Sequence, residues 1–121
     1  MSSRALVIKS TTGLNSPETT NQALTVATAA LAAGVPVSVW LTGDSSFLAV
    51  PGRAAELSLE HAPAISDLIE LIVELGSLTV CSQCAARRGL TTQDLIPGVR
   101  IAGAPVFVEE IMAEGVQALV Y

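Results

Sequence analysis

The sequence predicts an α/β fold: a three-layer sandwich in which a mostly parallel, five-stranded sheet carries helices on both faces. Short apolar runs alternate with segments of helical length, which is typical of βαβ units with right-handed crossovers. Half of the 121 residues are hydrophobic but only 3% are aromatic, so Val, Leu, Ile and Ala must pack in close layers. A chain of this length can bury its own core, and we expect a single domain over residues 1–121.

The first third of the chain predicts two strands joined by a long helix. Residues 5–9 form a short apolar run before the polar stretch STTGLNS, as expected of a buried strand that enters a loop. Ser16 can cap the helix, Pro17 suits its first position and Gly34 ends it. Residues 35–42 are the second predicted strand.

The middle of the chain carries weaker signals. Gly43 and Asp44 open a loop after the second strand, and residues 54–59 are predicted to form a short helix. Another helix is predicted over residues 67–75, where apolar residues recur at helical spacing, and Ser66 is its expected cap.

The last third continues the alternation of strands and helices. Strands are predicted over residues 78–80, 99–102 and 118–121, with a helical turn over residues 85–88 and a helix over residues 105–114. Glu109 and Glu110, adjacent in the last helix, are expected on its solvated face.

Charge and hydropathy exclude several classes of protein. The formal net charge is -5 and the pI is about 4.6, whereas nucleic-acid-binding proteins concentrate Lys and Arg on one face. No apolar run reaches the roughly 20 residues that span a bilayer, and the first residues lack a signal-peptide core. We therefore expect a cytoplasmic protein that binds neither nucleic acid nor membrane.

Cys81 is the residue at which the third predicted strand gives way to a helix. In open parallel sheets, ligands bind beyond the carboxyl ends of the strands, and Cys81 falls at such an end. If a helix begins at Ser82, its free N–H groups face the sulfur and favour the thiolate. Arg87 and Arg88 would add positive potential if they pointed toward it. Free cysteine often simply packs in a core, but this position favours a reactive thiol.

Cys84, three residues beyond Cys81, has two interpretations. It can act as the resolving thiol of a CxxC pair, or it can simply pack. Together with His61, the only histidine, the two cysteines leave a tetrahedral metal site incomplete unless subunits share it. No metal is therefore predicted. His61 could act as a base or a proton shuttle, but it is expected to be a solvated loop residue.

Two loops are expected beside Cys81 at the same rim of the sheet. Asp44 follows the second strand, where its carboxylate could orient a ligand or cap the next turn, and capping is its expected role. Residues 10–16, which include Gly13, lead into a helix N-terminus that could hold an anion. They match neither the GxGxxG nor the Walker pattern, so no nucleotide or other cofactor is predicted.

Several of these segments combine into a recognisable pattern. They are the strand and loop ALVIKSTTG, a small-residue helix ending in AAG, a strand ending in LTGD, and VCSQCAARRG followed by DLIPGVRIAG. In this combination the chain resembles the DsrE/DsrF-like sulfur-relay family almost end to end, which implies a flavodoxin-like fold. It departs from the family after Asp44, where Ser45 and Ser46 replace a common Gly-Val.

The resemblance also implies a function and a site. In sulfur-transferring members the cysteine directly after this strand is thought to carry a persulfide, and Cys81 occupies that place. The implied protein is a sulfur relay, with sulfurtransferase as its activity, that passes sulfane sulfur between donor and acceptor proteins without a cofactor. Cys84 is not required by that pattern. The resemblance further implies a homotrimer or a homohexamer.

Two other functions remain open from the residues alone. One is a peroxiredoxin-like thiol redox protein in which Cys81 attacks an oxidant and Cys84 resolves the product as a disulfide. The other is a non-enzymatic oligomeric module that binds a ligand or a partner at the strand-end rim.

Overall fold

A computed structural model describes residues 4–121 and contains one five-stranded sheet in which every strand pair is parallel. The strands are β1 (Ala5–Ser10), β2 (Val37–Leu41), β3 (Ser77–Cys81), β4 (Arg100–Ala102) and β5 (Val116–Val120). Their order across the sheet is β4-β3-β2-β1-β5. The predicted α/β fold is confirmed, including its parallel sheet.

Helices connect these strands. The α-helices are α1 (Pro17–Ala32), α2 (Ile65–Leu75), α3 (Ser82–Arg87) and α4 (Ala104–Ile111), and the 3-10 helices are Gly43–Ala49, Ala54–Glu56 and Thr92–Asp94. Within the described residues, none of the helices has the length and apolar character needed to cross a membrane.

The connections place helices on both faces of the sheet. The crossovers through α1 and α2 step in one direction, from β1 to β2 and from β2 to β3, and right-handed connections put both helices on the same face. The connection through α4 runs back from β4 at one edge to β5 at the other edge. Right-handedness therefore puts α4 on the opposite face.

The main core lies between the sheet and the pair α1 and α2. Alternate residues of the three central strands point into it, because side chains along a strand alternate between the two faces. The fully buried members of this core include Ile8, Val39, Leu78 and Val80 of the sheet, Leu24 and Ala27 of α1, and Ile69 and Ile72 of α2.

The face under α4 is more polar. Val7, Lys9, Ser38, Trp40 and Thr79 point to this side, as their register and alternation require. None of the α4 residues is buried, so apolar packing holds this helix weakly compared with α1 and α2. Polar contacts between α4 and the sheet also hold the helix in place.

Glu110 makes those polar contacts. One oxygen of its carboxylate accepts hydrogen bonds from Ser38 Oγ at 2.6 Å and from Trp40 Nε1 at 3.0 Å. The other oxygen pairs with the guanidinium of Arg100. Partial burial raises the pKa of Glu110, but these hydrogen bonds and the charge of Arg100 outweigh it and hold the pKa below its usual value. The expected solvated position is therefore wrong for Glu110.

Some local predictions also need correction. Ser66 does not cap α2, because the helix begins at Ile65, which is buried, and the carbonyl of Ala64 accepts the first helical hydrogen bonds. The loop expected after β2 is a 3-10 helix, Gly43–Ala49, and the short helix expected over residues 54–59 is only a 3-10 turn. Ser16 does occupy the N-cap position of α1, although its hydroxyl makes no capping hydrogen bond.

Candidate functional site

Cys81 is the last residue of β3 and the residue directly before α3. Its backbone is extended, with φ of -60° and ψ of 130°, so the chain turns from strand to helix at this residue. It lies opposite Ala102 of β4, and it shares a face of the sheet with Thr79 because side chains alternate along β3. The thiol is therefore half-exposed at the carboxyl end of the sheet, on the side covered by α4.

The surroundings of Cys81 favour its thiolate. Partial burial raises the pKa of the thiol, but the backbone N–H groups of Cys84 and Gln83 and the Cys84 thiol lower it, and the ammonium of Lys9 lowers it further. The net result is a pKa below the usual cysteine value. The N–H groups act by facing the sulfur, without a side-chain capping hydrogen bond of standard geometry. Since the thiolate is the nucleophilic form, this cysteine is suited to attack.

Cys84 is a buried thiol beside Cys81. Only 8% of Cys84 is exposed, and its Sγ accepts a hydrogen bond from the Gly43 N–H at 3.2 Å. Gly43 has a φ of 54°, a left-handed conformation that favours glycine and allows this N–H to reach the sulfur. Both cysteines are free thiols. The structure thus brings the two predicted site residues together, one accessible and one enclosed.

Asp44 pairs with a distant residue instead of capping the next turn. Its carboxylate accepts a hydrogen bond from the Arg88 guanidinium at 3.2 Å, and it makes no capping hydrogen bond to the 3-10 helix that follows β2. Arg88 also donates to the Cys84 carbonyl at 3.2 Å and stacks on the Phe47 ring. The expected capping role is therefore wrong. The pair formed by Asp44 and Arg88 connects the segment after β2 to the end of α3.

Polar groups at the end of β1 and in the loop before α1 are paired with each other, with α1 or with the segment after β2. Ser10 Oγ and Ser45 Oγ lie 2.6 Å apart, and Thr20 Oγ1 donates to the Gly13 carbonyl at 3.0 Å. A side chain at Gly13 would bring its Cβ within 2.5 Å of the Asp44 carbonyl oxygen, so glycine is needed for this close approach. These contacts hold the β1 and β2 loops together at the rim.

His61 lies apart from the two cysteines. It is an exposed residue with a φ of 60° and lines a groove with Glu18 and Asn21 of α1. Across residues 4–121, no three His, Cys, Asp or Glu side chains come together as a metal-binding group. The structure therefore places the only histidine beside α1, away from the strand-to-helix turn that carries both cysteines.

Lys9 is the site residue that sequence reasoning missed. Arg87 and Arg88 were the expected sources of positive charge, yet neither contributes to the pKa of Cys81, whereas Lys9 does. Lys9 lies near the end of β1, half-buried, with its ammonium 4.9 Å from the centre of the Phe107 ring. A sequence signal was available: a lysine at the end of an otherwise apolar strand points to a polar patch on one face of the sheet.

The solved structures that share this fold include the following two. The YchN protein of E. coli aligns with a TM-score of 0.81 and 18% identity over 98% of this chain and 99% of its own. The protein MTH1491 of Methanobacterium thermoautotrophicum, described as of unknown function, aligns with a TM-score of 0.72 and 14% identity over 99% of this chain and 100% of its own. At these identities the likeness establishes the fold.

The proteins related in sequence include two uncharacterized proteins from Methanocaldococcus and Methanopyrus. Uncharacterized protein MJ0760 of Methanocaldococcus jannaschii is 29% identical over 113 residues, which are 93% of this chain and 41% of that protein. Uncharacterized protein MK0008 of Methanopyrus kandleri is 33% identical over 81 residues, which are 66% of this chain and 64% of that protein. The matched region is therefore less than two thirds of either relative.

Family membership follows from the match to a family model. The model of the DsrE/DsrF-like family matches residues 5–120, which begin at the first strand and end with the last one. The match includes the strand-to-helix turn that carries both cysteines. The chain belongs to the DsrE/DsrF-like family.

Proposed function

We propose that this protein is a sulfur relay in which Cys81 carries sulfane sulfur as a persulfide and passes it to a partner protein. The observation that carries the proposal is a half-exposed thiol of lowered pKa at the carboxyl end of β3, in a chain of the DsrE/DsrF-like family. The proposal places the protein in the cytoplasm, where a reducing environment keeps both thiols available.

The proposed reaction is a sulfur exchange at Cys81. The thiolate attacks the outer sulfur of a donor persulfide, a bond forms between the two sulfurs, and the donor S–S bond breaks. Its electron pair leaves with the donor thiolate, so no external oxidant or reductant is consumed. An acceptor thiolate then attacks the outer sulfur on Cys81 and restores the Cys81 thiolate. No cofactor takes part, and the activity is that of a sulfurtransferase.

Sulfur uptake tests this proposal directly. Incubation with inorganic polysulfide and measurement of intact mass are expected to show a gain of one sulfur atom in the parent and in Cys84→Ser, and none in Cys81→Ser. Cys84→Ser is the matched control, because it removes the neighbouring thiol of the same pair. A parent that gains no sulfur, or a gain that survives in Cys81→Ser, would contradict the proposal.

A thiol redox function is the second candidate, favoured by the proximity of the Cys84 thiol, which lowers the pKa of Cys81. Cys81 would be oxidised to a sulfenic acid by a peroxide, and Cys84 would then displace water to form the disulfide. A thiol reductant would regenerate the pair. In this case Cys84→Ser loses turnover with peroxide, whereas a sulfur relay retains sulfur loading in the same variant.

The proposal includes a trimer or a hexamer of this chain. Large apolar side chains directly after α4 and in β5 are exposed, with Met112 at 75% and Val120 at 66%. Association of copies would remove such surface from water. Light scattering after size-exclusion chromatography is expected to give the mass of a trimer or a hexamer. The mass of a single chain would count against assembly without affecting the sulfur-loading test.

A further inference from the structure

The Lys9 ammonium has no carboxylate partner within the part of the chain that the structure describes. The neighbouring cations are paired, Arg100 with Glu110 and Arg88 with Asp44. Lys9 is a half-buried residue on this face, and an ammonium that no carboxylate pairs attracts any anion that lies nearby. The Lys9 ammonium can therefore act on an anionic group that lies on this face of the sheet.

The register of the sheet places Cys81 on the same face as Lys9. Lys9 lies opposite Trp40, and Trp40 lies opposite Thr79, so these three residues form one row across β1, β2 and β3. Cys81 is two residues further along β3 and therefore points to the same face. Phe107 of α4 lies over that face, and its ring holds the ammonium at 4.9 Å from the ring centre. Lys9 and the Cys81 thiol thus share one side of the strand-end rim.

We infer that Lys9 is a positioning residue of this site, whose ammonium holds the sulfur anion of Cys81 before sulfur transfer and the persulfide anion after it. The inference rests on the proposed sulfur relay and deepens it. Transfer moves the negative charge from Sγ to the outer sulfur, about 2 Å away across the new S–S bond. A lysine on its flexible stem can follow this movement, whereas a rigid backbone N–H cannot.

The electrostatics of Cys81 agree with this geometry. Partial burial raises the pKa of the thiol and the neighbouring N–H groups lower it, but Lys9 is the only side-chain cation that contributes among the described residues. Arg87 lies on α3, much closer in sequence, and makes no such contribution. Arg87 is therefore a matched control for a general effect of positive charge.

Alkylation of Cys81 tests the inference in the Cys84→Ser background, where Cys81 is the only thiol. The rate of reaction with iodoacetamide is measured against pH for the parent, Lys9→Met, Lys9→Arg and Arg87→Met. Lys9→Met is expected to move the profile to higher pH and to slow the reaction at neutral pH about threefold, as for one unit charge several ångströms away. Lys9→Arg should restore the parent profile, and Arg87→Met should leave it unchanged.

The outcomes separate this inference from the proposed function. If Lys9→Met and the parent give the same profile, the inference is wrong even when polysulfide still loads Cys81. If the profile moves but the parent takes up no sulfur, the sulfur relay is wrong and the role of Lys9 at the thiolate stands. Circular dichroism checks folding, and Lys9→Gln, which keeps a polar head group, replaces Lys9→Met if that variant does not fold.

Discussion

Substitution of Trp40 by alanine is expected to lower the free energy of unfolding by about 3–5 kcal/mol. Trp40 is only 1% exposed, and its ring packs edge-on against Phe107 at 5.2 Å between ring centres. Its indole N–H also donates to Glu110. Alanine therefore removes core volume on the face of the sheet that has the fewest buried side chains, and it removes one tether of α4.

Urea unfolding followed by circular dichroism measures this effect. Trp40→Phe is the matched control, because it keeps an aromatic ring but lacks the N–H donor, and it should lose less stability than Trp40→Ala. The difference between the two variants separates ring packing from the hydrogen bond to Glu110. A loss within about 0.5 kcal/mol for Trp40→Ala, typical of exposed positions, would contradict this description of the α4 face.

The order of strands and helices was predictable from the sequence because its signals are local. Apolar runs, Pro17 at the start of α1 and Gly34 after its end depend only on neighbouring residues. The place of Cys81 was predictable for the same reason, since strand and helix meet at that residue. The capping role expected of Ser66 was wrong because burial of Ile65 in the core, a tertiary effect, decides where α2 begins.

The chemistry around Cys81 was less predictable because it depends on long-range pairing. Asp44 pairs with Arg88, which lies 44 residues later in the chain, and that distance exceeds any capping pattern. Lys9 and Cys81 come to one face only through the parallel register of three strands. A lysine in the sequence shows that a charge must be accommodated, but the sheet order determines which group it meets.

Glu110 is a helical residue whose contacts were also not predictable from the local sequence. Neighbouring Glu109 is exposed, as expected, and nothing in the local sequence distinguishes the two residues. The difference arises because the connection from β4 to β5 carries α4 across the sheet, over Ser38 and Trp40 of β2. The fold therefore determines that Glu110, and not Glu109, attaches α4 to the sheet.

Substitution of Glu110 by glutamine is expected to lower the free energy of unfolding by about 1.5–3 kcal/mol at neutral pH, because hydrogen bonds to a charged acceptor are lost. Burial raises the pKa of Glu110, but its bonds to Ser38, Trp40 and Arg100 hold the pKa below its usual value in the folded state. The ionised carboxylate therefore stabilises the fold above the pKa of the unfolded state. This contribution disappears as the pH falls through the folded-state pKa.

The difference in free energy of unfolding between the parent and Glu110→Gln should consequently be largest at neutral pH. It should approach zero in acid, since the amide resembles the protonated carboxyl. Fluorescence of Trp40, the only tryptophan, follows urea unfolding and also reports the loss of α4 from the sheet. Glu109→Gln makes the same change of charge one residue away and should stay within about 0.5 kcal/mol of the parent. A gap that did not depend on pH would mean that Glu110 holds α4 by shape and not by its charge.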